Sequence, residues 1–228
     1  LILEMRNSSK EVPGVKALSD VSMAGRRGEV HAICGENGAG KSTLMKVLSG
    51  VWPAGTYGGE ILYEGKVVEF NNIRDSEHAG IVIIHQELAL SPYLSIAENI
   101  FLGNENAKNG VIDWNKTDRE ATLLLARVGL DENPATKTLG LGVGKQQLVE
   151  IAKALSLDAR NLVMDEPTSA LTERETRPLF TVIRKLTAQG VPIRHIPHTM
   201  HHIVQIGDRL TGLRHGPTHP PPHVPSAH

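Results

Sequence analysis

Val30-His31-Ala32-Ile33-Cys34-Gly35-Glu36-Asn37-Gly38-Ala39-Gly40-Lys41-Ser42-Thr43-Leu44-Met45-Lys46-Val47-Leu48 is the stretch that decides the fold. It opens on a short apolar run closed by glycine and ends on a segment able to form helix. Between them, residues 35–42 match G-x-x-x-x-G-K-[ST], in the strand-to-helix setting that gives this pattern its meaning. The glycines let the backbone N–H groups of Gly35, Asn37, Gly38, Ala39 and Gly40 wrap a phosphate chain. The helix N-terminus, carrying Ser42 and Thr43, adds its positive end. Lys41 reaches the β- and γ-phosphates, and the Ser42 hydroxyl is a ligand for Mg²⁺.

Working outward, Ile81-Val82-Ile83-Ile84 is a continuous apolar, β-branched run of the kind buried on both faces of a parallel sheet. Leu162-Val163-Met164 is another and ends in Asp165-Glu166; residues 191–196 and 210–213 are further candidate strands. Amphipathic helices separate them, with Leu148, Ile151, Ala152 and Leu155, then Leu179, Val182, Ile183 and Leu186, at i, i+3, i+4, i+7. Strands alternating with helices predict an α/β fold around a mainly parallel sheet. Residues 88–160 offer helices without a convincing strand and are expected to be a helical insertion. Asp165 at a strand end can hold Mg²⁺, and Glu166 beside it can polarise an attacking water.

Composition narrows the classes. The 228 residues carry 24 Lys plus Arg and 25 Asp plus Glu, a balance that argues against affinity built on nucleic-acid phosphates. Aromatics at 4% leave no base-stacking platform. The one cysteine, Cys34, excludes an internal disulfide and fits a reducing compartment; it reads as a small buried strand residue. No apolar run approaches the roughly 18 residues needed to span a bilayer. A soluble intracellular chain is expected. Asn115-Lys116-Thr117-Asp118 matches a guanine-reading N-K-x-D element, but no buried strand precedes it and no Asp is followed by x-x-Gly. It reads as a loop capping a helix that begins near Thr117.

Taken together, these residues resemble the ATP-binding cassette ATPases. Leu141-Gly142-Val143-Gly144-Lys145-Gln146-Gln147 is similar to the cassette signature, Gln86 to the Q-loop, and residues 165–171 to the Walker B, catalytic glutamate and D-loop segment. His198 matches the switch histidine. The resemblance covers residues 3–216 and, through Pro13-Gly14-Val15-Lys16-Ala17-Leu18 and residues 144–155, is greatest to monosaccharide importers of the xylose type. It implies a P-loop NTPase cassette: a mainly parallel core with an N-terminal antiparallel β part and a helical subdomain. The core is expected over residues 1–87 and 160–216, the helical subdomain with the signature over 88–159, and a disordered tail over 217–228.

The resemblance further implies that Lys41, Ser42 and the loop amides hold Mg·ATP, with Gln86 and Asp165 near the metal. Glu166 would orient water, His198 would steady the γ-phosphate, and residues 142–145 would contact the nucleotide of an opposing cassette. It implies a second cassette, in tandem on one polypeptide with this as the N-terminal half, and transmembrane permease subunits. A periplasmic sugar-binding protein would act indirectly, at the cytoplasmic face of the membrane. The sugar, whether xylose, ribose, galactose or inositol, is not legible.

The sequence departs from the family at several positions. Val12 stands where an aromatic would stack on adenine, and Gly142 replaces the signature serine. Arg194 and Pro197 fall in an expected buried strand, where a charge and a missing donor are costly. Pro178 falls within an expected helix. Eight of the 11 histidines lie at or after His195, and prolines crowd residues 217–225, which fits a truncated or altered end. A degenerate cassette that binds nucleotide or partners without turnover is the alternative reading. Trp52 and Tyr57 are expected to pack a surface turn.

Overall fold

The computed structural model describes residues 1–197 and 199–213. Its centre is a parallel sheet of five strands in the order β11-β3-β10-β9-β6: β3 Val30–Gly35, β6 Ile81–Ile84, β9 Asn161–Asp165, β10 Ile193–Ile196 and β11 Arg209–Leu213. The registers are uninterrupted, with Val30 and Leu162 both beside Ile193. As the apolar runs predict, β3 and β9 are buried along almost their whole length. Helices α1 (Lys41–Leu48), α5 (Val143–Ser156) and α6 (Glu173–Ala188) cover the sheet, the last two with the apolar stripes read from the sequence.

A second, antiparallel sheet has the order β2-β1-β4-β5, from β1 Leu3–Val12, β2 Val15–Gly25, β4 Gly58–Tyr63 and β5 Lys66–Val68. Met5, Val21, Met23 and Ile61 from this sheet join Ile33, Leu44, Leu48 and Val163 in one apolar core, so α1 is sandwiched between the two sheets. Trp52 and Tyr57 do more than pack a turn. Both are partly buried against this core, and the Lys10 ammonium lies 4.3 Å from the Trp52 ring centroid.

Helices α2 (Ile73–His78), α3 (Ile96–Phe101), α4 (Trp114–Arg127) and α7 (Met200–Ile206) complete the fold. The stretch expected to lack strands contains a small hairpin, β7 Ala107–Lys108 with β8 Val111–Ile112. Two residues a side are too few for a period-2 pattern to register. Residues 115–118 are not a loop. They form the first turn of α4, which Asp113 caps by accepting from the Lys116 N–H at 2.9 Å. The guanine-reading alternative thus fails on geometry as well.

The costly residues of the C-terminal third are accommodated unequally. Pro197 lies just past β10, so it removes no ladder donor; the last paired residue, Ile196, still accepts from the Glu166 N–H at 3.0 Å. Pro178 does sit inside α6, exposed, and deprives the Arg174 carbonyl of its intrahelical donor. A capping box from Thr172 and Glu175 anchors the turn before it. Arg194 is fully buried in the central strand, its guanidinium packed on the backbone of Gly25, and its Nε, Nη1 and Nη2 have no hydrogen-bond partner. Burial pushes its pKa down to about 10, against the pull of Glu29.

Candidate functional site

The loop after β3, the loop after β6 and the end of β9 all open at the same edge of the parallel sheet, because parallel strands deliver their C-termini together. The phosphate loop connects β3 to α1. Gly40 is the N-cap of α1 at φ 93°, and a Cβ there would collide with the Ala17 carbonyl of β2. Only glycine lets β2 pack this closely under the loop. No side chain caps α1 and its first turn holds no acidic residue, so its N–H groups and positive end face outward unneutralised. Gly38, at φ 85°, leaves open space where a Cβ would stand. Asn37 and Gly38 are exposed, as is Ser42, whereas Ala39 is buried. The Lys41 ammonium donates to the Gly35 carbonyl at 2.7 Å and the Glu36 carbonyl at 3.2 Å, which places it inside the loop.

Asp165 is half-buried. Burial raises its carboxyl pKa first and the Glu166 charge next, while His85, Lys41 and Lys46 oppose the rise. Asp165 thus feels the charge of the loop lysine and of His85 just past β6. Glu166 adopts φ 45°, unusual for a residue with a Cβ, and turns the chain sharply away from the sheet. Its N–H is tied to Ile196 and its carbonyl accepts from Ser169 at 3.1 Å, so the backbone there is held from both sides. Gln86 is exposed in the loop after β6. Ser42, Gln86 and Asp165 offer the hard oxygen donors that suit Mg²⁺.

Val12 ends β1 at the Pro13-Gly14 turn and is partly buried against the partner strand residue Val15. Residue 198 lies outside the described residues, as does the 217–228 tail. The signature opens α5: Gly142 is the N-cap with extended backbone and no side-chain cap, and Val143, Gly144 and Lys145 form the first turn. Its neighbours come from elsewhere than the phosphate loop. Lys145 pairs with Glu132 at 2.5 Å, and Glu175 of α6 packs against Gly144. Cys34, expected to be buried, is only partly so at the end of β3, yet that burial still pushes its thiol up to about 11, against the pull of Lys41.

Three residues that matter here escaped the sequence. Glu150, on the otherwise apolar face of α5, is buried and accepts from the Ala89 N–H at 2.7 Å. It thereby fixes the loop that follows Gln86. Burial raises its pKa, with the Ala89 bond and Lys153 opposing. It borders a cavity of about 190 Å³ that His85 also lines. A carboxylate breaking the apolar stripe of Leu148, Ile151 and Leu155 was the available signal. His85 gave none, and Glu175 showed only the Thr-x-x-Glu spacing that opens α6, not its approach to α5.

The loop, the acidic strand end and the helix-opening glycines define a P-loop nucleotide-binding cassette. The profile of the ABC transporter family matches residues 18–169, and the chain belongs to that family. It is 58% identical over 217 residues to the L-arabinose transport ATP-binding protein of Geobacillus stearothermophilus, covering 95% of this chain and 42% of the relative. It is 55% identical over 217 residues to the xylose import ATP-binding protein of Thermoanaerobacter pseudethanolicus, covering 95% and 43%. The chain thus spans under half the length of these relatives. Among solved structures, a nucleotide-free ATP-binding cassette from an ABC transporter superposes with a TM-score of 0.84 at 26% identity, covering 97% of this chain and 91% of that one. The parallel core with its antiparallel sheet is therefore the cassette fold.

Proposed function

We propose that this chain is the ATP-binding and ATP-hydrolysing cassette of a monosaccharide importer, working with transmembrane permease subunits at the cytoplasmic face of the membrane. The observation that carries the reading is the phosphate loop itself: an uncapped helix N-terminus, Gly40 at a position that admits no side chain, and Lys41 held inside the turn. The 50–58% identity to arabinose, xylose and ribose or galactose import proteins supports a sugar as cargo.

In this reading the amides of residues 35–43 and Lys41 bind the phosphates of ATP and offset their charge. Ser42, Gln86 and Asp165 would hold Mg²⁺, which when bound neutralises charge on the phosphates. Glu166, fixed by its backbone bonds, orients the attacking water and accepts its proton, and His198 contacts the γ-phosphate. Val12 lies at the adenine end in place of an aromatic. Residues 142–145 complete the site of a second cassette, so turnover requires a pair. Residues 88–159 form the helical part that passes closure to the permease, and a periplasmic sugar-binding protein delivers the cargo.

Calorimetric titration of Mg·ATP into the purified chain tests this. Lys41→Ala is expected to weaken binding at least a hundredfold without loss of fold, and GTP is expected to compete poorly. A folded wild-type chain that takes up no Mg·ATP refutes the proposal.

A further inference from the structure

The chain leaves β9 in a tight turn that Glu166 opens at φ 45°. The turn is closed by its own backbone: the Ser169 N–H donates to the Glu166 carbonyl at 3.1 Å and the Leu171 N–H to the Thr168 carbonyl at 3.2 Å. It is also tied to its surroundings. The Glu166 N–H donates to the Ile196 carbonyl at the end of β10, at 3.0 Å. A further tie comes from α7, the helix that follows β10. There the Oγ1 of Thr168, a buried residue, and the Nδ1 of His202 are hydrogen-bonded at 3.0 Å. The hydroxyl can donate to a bare Nδ1 or accept from an Nδ1–H, so the pair is bonded in either ring tautomer. The imidazole is itself oriented by α6, whose buried Phe180 meets it edge to face, with centroids 5.2 Å apart and planes at 85°.

We propose that His202 is a positioning residue for Glu166: its ring, set by Phe180, anchors the Thr168 hydroxyl and thereby fixes the turn in which Glu166 stands. This rests on the reading of Glu166 as the residue that orients the attacking water. The left-handed backbone of Glu166 is strained for a residue with a Cβ, and such a conformation persists only where the surroundings over-determine it. The Ile196 tie grips the turn at its entry. The His202 tie grips it two residues further on, and two points remove the rotation that one would leave. Both anchors belong to the β10–α7 hairpin of the chain, one at each end of its connection, so that connection and the Glu166 turn move as one body.

The test compares wild type with His202→Ala, His202→Asn and Thr168→Val. Asparagine sets an amide where Nδ1 stands and keeps the bond, whereas valine keeps the shape of Thr168 and removes its hydroxyl. Amide hydrogen exchange at Ser169, whose N–H closes the turn, is expected to speed about fivefold in His202→Ala and in Thr168→Val and to hold the wild-type rate in His202→Asn. Affinity for Mg·ATP is expected to stay unchanged throughout, because the phosphate loop is untouched. In the reconstituted transporter, kcat is expected to fall about tenfold in His202→Ala and Thr168→Val with KM for ATP unaltered, and to be kept in His202→Asn. The double variant His202→Ala/Thr168→Val is expected to be no slower than the slower single, since both changes remove one bond. Unchanged Ser169 exchange in His202→Ala and Thr168→Val, or a kcat lost equally in His202→Asn, overturns the proposal; Thr168→Val decides if His202→Ala does not fold. A wild-type transporter without ATP turnover refutes the proposed function instead, and the exchange comparison then decides whether His202 holds the turn.

Discussion

Replacing Arg194 with methionine is expected to stabilise this protein. The guanidinium is fully buried in the central strand, and none of its three nitrogens has a hydrogen-bond partner. Burial, above all, brings its pKa down from the ordinary arginine range to about 10. At 1.36 kcal/mol per pK unit, that fall corresponds to roughly 3 kcal/mol of penalty on the charged form. The sign follows from linkage: a cation whose folded pKa lies below its unfolded value costs stability wherever both states keep the proton. The penalty is therefore full at pH 7 and is relieved only as pH rises through about 10. Methionine fills a similar elongated space without the charge. For a chain of this size, roughly 2–4 °C per kcal/mol gives a gain of about 6–12 °C in Tm, read by scanning calorimetry at pH 7. A companion change sharpens the test. Gly25→Ala would drive its Cβ into the Arg194 guanidinium, so alone it is expected to destabilise strongly, and much less beside Arg194→Met. An unchanged or lowered Tm for Arg194→Met, or strict additivity of the pair, would show that the guanidinium is paired and refute the reasoning.

Acid sensitivity is a second expectation. His31 and His195 are fully buried and burial pushes both down to about 3, so the unfolded chain binds protons that the folded chain refuses. Stability is intact above about pH 6.5 and falls by about 1.4 kcal/mol per pH unit for each histidine as pH drops below it; His195→Phe is expected to halve that slope in urea titrations. At Pro178, exposed within α6, alanine restores the missing hydrogen bond and is expected to add about 1–3 kcal/mol, visible as a higher urea midpoint at unchanged m-value.

The phosphate loop, the buried strands β3, β6 and β9 and the stripes of α5 and α6 were legible because each is a local pattern: a motif, a run or a 3.6-residue period. The sequence could also predict that Asp165 and Glu166 follow a strand at the open edge of a parallel sheet. It misjudged residues 115–118, since Asp113 caps from outside the motif it read. It also placed Pro197 inside a strand that ends one residue earlier.

What the sequence could not determine are relations between residues far apart in the chain. The fit of Gly40 under Ala17, the tie from Glu150 to Ala89, the packing of Glu175 on Gly144 and the burial of Arg194 on Gly25 all join separate elements. Local patterns record which face of an element is apolar. They carry no information on which polar group arrives from another element to meet it, because that depends on how helices and sheets pack, and packing is settled only when the whole core closes.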